Sequence, residues 1–264
     1  MQRELARVSD QRVALSVIVP VYNEAAMLAT HMRELTRTLD TLPDAPVWEL
    51  LLVDDGSNDG SLGLAMRLAI EDQRIAVCMH DRNYGNGRAM ATGCAQARGD
   101  YIMVVDADLH LGPDQVTTLW TSALRSGADI VVASVFMRGG KAHNVPLLHK
   151  CLSAGANWFL SRAAGGRVST LTCLVRLYRT SCLREMIAFV QPDAMLPDLI
   201  LEAVQRGAHI IEVPATPALR PQRRRQSPFK QRSALRYALA ILRCGLRRRS
   251  GADGARRPSP GACA

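Results

Sequence analysis

The sequence predicts an α/β protein with a mostly parallel central sheet flanked by helices. Three observations carry this. Apolar runs and segments of helical period alternate from Val13 to Ser134. The runs show little polar alternation, as expected of strands buried on both faces. Carboxylates follow two of the runs directly, Asp54 and Asp55 after one, Asp106 and Asp108 after another. The C-terminal ends of strands are where open sheets of this kind place their ligands.

The elements follow in chain order. Met1 to Gln11 is polar and reads as a frayed lead-in. Val13 to Val19 is rich in β-branched residues and predicts the first strand, which Pro20 ends. Glu24 to about Leu39 has helical period, with Asn23 placed to cap it. Trp48 to Val53 predicts the second strand, and Ser61 to Ile70 the next helix. Ile75 to Met79 predicts a third strand, then a loop rich in Asn and Gly, then a helix over Arg88 to Ala97. Gly93 lies inside that helix, where it lowers propensity and permits close packing. The run starting at Tyr101 is the fourth strand, Pro113 to Ser126 a helix, and Asp129 to Ser134 a fifth strand. Beyond these come a polar loop over Phe136 to Asn144 and a helix over Val145 to Leu160. A strand over Leu171 to Tyr178, helices over Ser181 to Phe189 and Pro197 to Arg206, and a strand over His209 to Val213 complete the pattern.

The 264 residues carry a formal net charge of +9, unevenly spread. Between Glu212 and Asp253 there is no acid, while eleven Arg or Lys occur. Arg232 to Arg249 interleaves leucines with arginines, the pattern of a basic amphipathic helix on an anionic lipid surface. Ser250 to Ala264 has a Gly/Pro/Arg-rich composition that favours disorder. A nucleic-acid module built on this tail is disfavoured, because an Arg-rich stretch alone carries little specificity. The seven cysteines form no C-x-x-C pair and read as reduced core residues of a cytoplasmic protein. No signal peptide is expected, and no apolar run reaches the roughly 18 residues that span a bilayer. A G-x-G-x-x-G opening and a Walker A sequence are both missing.

Asp106 and Asp108 sit where the fourth strand breaks up, so both can turn to one ligand. A divalent cation such as Mg²⁺ or Mn²⁺ takes oxygen ligands of this kind; two solvated loop acids are the plainer alternative. His110 follows at the same spacing, as a third ligand or a group just behind the ligands.

Four stretches together resemble the family 2 glycosyltransferases of the GT-A fold, within them the dolichol- or polyprenyl-phosphate mannose and glucose synthases. These are Ser16 to Glu24 (SVIVPVYNE), Val53 to Gly60 (VDDGSNDG), Asn83 to Gly87 (NYGNG, with Asn86 where relatives carry Lys) and Asp106 to Leu109 (DADL, the D-x-D motif). The resemblance extends to Pro214 and more loosely to Lys230. It implies a GT-A domain over residues 1–219, with a nucleotide-sugar half (1–134) and an acceptor half (135–219). A basic amphipathic segment (220–249) and a tail (250–264) follow.

The resemblance also implies roles. The donor is a nucleoside-diphosphate sugar, GDP- or UDP-linked. Pro20, Tyr22 and Glu24 surround base and ribose, Asp55 hydrogen-bonds the base, and Gly87 and Ala107 belong to the same donor-binding set. Asp106 and Asp108 meet ribose, metal and diphosphate. His110 stands where relatives often carry a Gln metal ligand, and imidazole suits Mn²⁺ better than Mg²⁺. Asp198 matches the family's acid before an E-x-L-x-x-A-like helix and is the candidate general base; a first-turn helix acid is the structural alternative.

The acceptor half departs from its relatives. Val135 replaces an arginine of the G-S/T-R-Y pattern, and Ser153 to Asn157 lacks another. Arg138, Arg176, Arg220 and Lys230 remain as candidate ligands for an acceptor phosphate. The expected reaction is inverting transfer of a hexose to a polyprenyl phosphate at the cytoplasmic face of the membrane, through peripheral association with anionic lipid. A soluble natural-product or saccharide acceptor is the alternative. A nucleotidyltransferase is disfavoured, since the loop after the first strand is acidic where triphosphate needs a basic glycine-rich loop. An inactive homologue and a polyanion-binding module are the remaining readings.

Overall fold

The computed structural model describes residues 12–137, 139–140, 155, 168–171, 173–190 and 195–218. All of them belong to the unit Met1–Arg225. The expected helix over Val145 to Leu160 (Gly155 apart), Arg138, Arg220, Lys230, the basic segment and the tail lie outside the described residues.

The chain order is β1 (Leu15–Val21), α1 (Leu28–Asp40), β2 (Trp48–Asp54), α2 (Ser61–Glu71), β3 (Ile75–Met79), α3 (Asn86–Gln96), β4 (Tyr101–Val104), α4 (Asp114–Ser126) and β5 (Ile130–Ser134). Then follow β6 (Arg176–Arg179), α5 (Thr180–Ile187), α6 (Met195–Arg206) and β7 (Ile210–Pro214). They build one seven-stranded sheet in the order β3-β2-β1-β4-β6-β5-β7. Only β6 runs against the rest, pairing antiparallel with both β4 and β5. The expected mostly parallel sheet is therefore present. Its order reverses at β1, which has β2 on one side and β4 on the other. That switch point opens a crevice above the ends of β1 and β4, where such sheets bind ligands.

The buried runs explain the strands. β1, β2 and β5 are buried along their whole lengths. α1 buries Leu28, Met32, Leu35 and Leu39 along one stripe, and each such side chain contributes about 1.5–3 kcal/mol by leaving water. At the N-terminal edge of the sheet, Glu49 is buried and accepts four hydrogen bonds from Ser16 and Arg98. The Ser16 hydroxyl donates to it at 2.6 Å, the Arg98 backbone N–H at 2.8 Å, and the Arg98 guanidinium at 2.9 and 2.7 Å. The Gly99 N–H donates to the Ser16 oxygen at 2.8 Å. This network clamps β1, β2 and the α3–β4 turn at the edge opposite the crevice.

Several boundaries differ from the sequence reading. Pro20 lies inside β1, in register with Val53, rather than ending it. The Ile18 carbonyl accepts the Val105 N–H at 3.0 Å, so Ile18, and by alternation Pro20, faces β4. Pairing with β4 ends at Ile18–Val104, so the proline's missing N–H falls where no ladder bond was needed. Asn23 does not cap α1, which starts at Leu28 after a turn. Asn23 instead adopts φ 57°, a left-handed conformation that Asn tolerates, and ties two loops together. The strand expected from Leu171 begins at Arg176, while α3 and α6 each start slightly earlier than their periodicity suggested.

Gly93 is buried where α3 crosses β1, and a Cβ there would lie 2.5 Å from Cγ2 of Ile18. Alanine is the better helix former by about 1 kcal/mol. Overpacking costs about 1–3 kcal/mol and outweighs this. Gly93→Ala is therefore expected to lower the urea unfolding midpoint with an unchanged m-value; a raised midpoint would show that Ile18 gives way freely.

Candidate functional site

The loops after β1 and β2 are built from their own polar side chains. The Asn23 N–H donates to Ser57 Oγ at 3.0 Å, and the Asn58 N–H returns to Asn23 Oδ1 at 2.9 Å. The Glu24 N–H donates to Ser61 Oγ at 2.8 Å, and the Ala25 N–H to Asp59 Oδ2 at 3.0 Å. Burial alone would raise the Asp59 pKa, but hydrogen bonds from Ser61 and Ala25 hold it below the usual carboxylate range. Asp54 Oδ2 accepts the Ser57 N–H at 3.0 Å. Gly56, at φ +72°, has Arg82 Cα where a Cβ would stand, at 2.5 Å, so this close approach of two loops requires glycine. The DDGSNDGS stretch is thus an architectural lock between the loops after β1 and β2.

Asp55 closes the lock on the next loop. Its Oδ2 accepts the Gly85 N–H at 2.7 Å and its Oδ1 the Tyr84 N–H at 3.0 Å. Nδ1 of His80 lies 2.7 Å from the same Oδ1. Gly85 takes φ 93° just before α3, whose first turn carries Gly87. Tyr84 is 38% exposed, with its ring edge-on to His80 and the guanidinium of Arg82 5.0 Å from its centroid. Tyr22, on the loop above β1, is equally exposed, whereas Pro20 is buried and Glu24 half-buried.

The D-x-D turn follows β4. The Leu109 N–H donates to the Asp106 carbonyl at 3.0 Å, and Leu109 is held at φ 46°, a conformation leucine rarely adopts. Three contacts hold it there. His31 of α1, buried, has Nδ1 3.1 Å from the Ala107 carbonyl. The Gly112 N–H reaches the Leu109 carbonyl at 2.7 Å, and the Ala218 N–H the His110 carbonyl at 2.7 Å. The last contact brings the chain beyond β7 alongside this turn.

The turn gathers Asp106, Asp108 and His110, with one ligand atom from each within 4.8 Å of the others. His110 Nδ1 is 2.8 Å from Asp106 Oδ2 and 3.6 Å from Asp108 Oδ1. Asp106 Oδ2 and His110 Nδ1 are both buried, yet among the described residues neither makes an aligned hydrogen bond. Neighbouring ligands of an octahedral ion of this size stand about 3 Å apart, so the 2.8 Å between these two atoms suits a shared divalent cation. Burial by itself lowers the His110 pKa, but the charges of Asp106 and Asp108 outweigh it and push it up to about 10. A cation at this site must therefore displace a proton from the imidazole.

The remaining expected residues are placed differently. Arg176 does not fit an acceptor-phosphate ligand. It is fully buried in β6, in register with Val104 and Val132 of the strands on either side. Its guanidinium donates to the carbonyls of Leu171 and of Leu196, the latter at 2.6 Å. It is a strut joining the segment before β6 to the start of α6. Asp198 stands in the first turn of α6, half-buried. Cys173 lies near Asp106, and burial together with that charge pushes its thiol up to about 11. His31, His80 and Asp59 carry more of the site's construction than the sequence reading assigned them. No spacing rule marks a lone histidine whose partner is a distant carbonyl or carboxylate.

Comparisons with known proteins bear on the family and the fold. The sequence model of glycosyl transferase family 2 matches residues 16–187. A curated relative, the undecaprenyl-phosphate 4-deoxy-4-formamido-L-arabinose transferase of Salmonella choleraesuis (strain SC-B67), is 31% identical over 197 residues, 74% of this chain and 58% of its own. The chain thus spans well under two thirds of that relative's length. Among solved structures, the mannosyltransferase PcManGT of Pyrobaculum calidifontis, in complex with GDP-Man and Mn²⁺, superposes with TM-score 0.61 at 18% identity, over 94% of this chain and 67% of its own. Glucosyl-3-phosphoglycerate synthase of Mycobacterium tuberculosis, in complex with Mg²⁺ and UDP, gives TM-score 0.60 at 20% identity, over 88% and 80%. At these identities the likenesses establish the fold, the GT-A arrangement expected above. With the family model covering well over half of its length, the chain belongs to glycosyl transferase family 2.

Proposed function

We propose that the protein is an inverting glycosyltransferase that moves a hexose from a nucleoside-diphosphate sugar to a polyprenyl phosphate. The observation that carries the donor half is the Asp106, Asp108, His110 cluster at the switch point of the sheet. The similarity to an undecaprenyl-phosphate sugar transferase supports the acceptor. In this reading Asp106, Asp108 and His110 hold Mg²⁺ or Mn²⁺, which neutralises the charge that grows on the departing diphosphate. Asp55 accepts a base N–H. Pro20, Tyr22, Glu24, Gly87 and Ala107 surround the nucleotide.

An acceptor phosphate is already ionised at neutral pH and attacks without a strong base. Its needs are orientation and positive charge, for which Arg138, Arg220 and Lys230 are the candidates. No helix among the described residues is long and apolar enough to cross a membrane. The basic residues after Arg220 are assigned to the anionic lipid surface in which a polyprenyl acceptor resides. A second reading, a soluble saccharide or natural-product acceptor, is favoured by the burial of Arg176 and by Val135 in place of an arginine. A hydroxyl acceptor then needs Asp198 as general base.

Three outcomes are expected. Asp106→Asn and Asp108→Asn each lower kcat/KM for transfer by about 10²–10³ while circular dichroism shows the fold retained; turnover retained in both removes the proposal. Calorimetry with Mn²⁺ alone shows affinity rising about tenfold per pH unit between pH 6 and 8, because His110 must lose its proton. His110→Gln abolishes that slope, and an unchanged slope excludes His110 as a ligand. Finally, the full chain sediments with anionic liposomes at low salt and stays in solution with zwitterionic ones. Equal behaviour with both removes the assignment of the basic segment to lipid.

A further inference from the structure

An ionised carboxylate offers about four lone-pair sites, and at Asp55 three are already taken within the protein. Oδ1 is filled on both sides, by His80 Nδ1 at 2.7 Å and the Tyr84 N–H at 3.0 Å. Among the described residues, Oδ2 accepts only the Gly85 N–H, at 2.7 Å. His80 is itself fixed at three points. Its backbone N–H extends the β2–β3 ladder to the Asp54 carbonyl at 2.8 Å. Its Nε2 lies 2.9 Å from the Thr92 hydroxyl on α3, and the Tyr84 ring packs edge-on against its imidazole. Since the carboxylate only accepts, Nδ1 of His80 is the donor to Asp55.

This occupancy has a consequence for nucleotide recognition. Guanine presents two adjacent donors, N1–H and the 2-amino group, and pairs with a carboxylate through both oxygens. Uracil and thymine present one donor, the imide N3–H, which needs a single lone pair. We infer that His80 is a positioning residue that fills Oδ1 of Asp55, leaves one acceptor on Oδ2, and so makes the site select a pyrimidine imide over guanine. The inference rests on the reading that Asp55 meets the base. A guanine here would leave its second donor unpaired in a desolvated site, a loss of about tenfold or more in affinity.

Calorimetry on the full chain with Mn²⁺ and UDP, dTDP or GDP tests this. The expected result is UDP or dTDP bound at least about tenfold more tightly than GDP. His80→Leu frees a lone pair on Oδ1 and narrows the pyrimidine-to-guanine ratio to within about threefold, whereas His80→Asn, which keeps a donor near Nδ1, retains it. Thr92→Val loosens His80 without touching Asp55 and lowers the ratio part of the way, which keeps the test open should His80→Leu not fold. GDP bound as tightly as UDP by the wild-type chain, or a ratio unmoved by both His80→Leu and Thr92→Val, overturns the inference. Asp55→Ala separates the two levels. If it leaves UDP affinity unchanged, the base lies elsewhere and the premise has failed; if it weakens UDP while the His80 variants leave the ratio unmoved, only the role of His80 has failed.

Discussion

Carboxylates gathered at one edge of a sheet repel each other, and the way each is given a partner organises this region of the protein. Two unit charges about 4 Å apart interact by about 4 kcal/mol near a protein surface, comparable to a sizeable share of a domain's net stability. Asp54, Asp55 and Asp59 are neutralised locally, by backbone N–H groups of Ser57, Tyr84, Gly85 and Ala25 and by the side chains of Ser61 and His80. In taking these partners they fold the loops that rim the crevice. Asp106 and Asp108 instead have His110 as their nearby cation, its Nδ1 2.8 and 3.6 Å away. Asp55 and Asp59 are thus spent on loop construction, whereas Asp54 Oδ1, Asp106 Oδ2 and His110 Nδ1 are buried without an aligned hydrogen bond among the described residues.

The site's precision depends on structure far from it. Glu49, Ser16, Gly99 and the half-exposed Arg98 form a network at the opposite edge of the sheet, extended by the Thr180 hydroxyl, which donates to the Gly99 carbonyl at 2.6 Å. The ion pair itself adds little net stability because Arg98 reaches solvent, but the buried Glu49 carboxylate needs these donors, so the network tolerates few alternative arrangements. With β1, β2, β4 and α5 fixed at that end, the loops at the other end start from rigid positions. His31 then sets the height of the D-x-D turn by reaching across from α1 to the Ala107 carbonyl. Leu109 at positive φ is the strain that this over-determined setting sustains.

Arg176 shows how burial redirects a residue's chemistry. An arginine in a family 2 glycosyltransferase reads naturally as an anion ligand. In β6 it is walled in by β4 and β5, and its donors go to one carbonyl of the segment before β6 and one in the first turn of α6. Charge and residue type were visible in the sequence, whereas the strand's central position in the sheet was not. Pro20 makes the complementary point. Its missing N–H predicted a strand end, but the relevant neighbour, β4, had already turned away at that point.

The sequence by itself determined the layer architecture, most element positions and the identity of the acidic pair. Those features follow from hydrophobic period, β-branched runs and the short-range placement of Asp106, Asp108 and His110, all written within a few residues. It also carried the family resemblance, in four motifs whose glycines and acids are mostly adjacent. Tertiary structure alone decided which acids are spent on loop construction, that His80 shares Asp55 with two backbone N–H groups, and that His31 supports a turn 76 positions away. The physical reason is that a carboxylate's remaining lone pairs depend on every donor within about 3 Å. Donors from three different loops converge only once the sheet has brought their strand ends together.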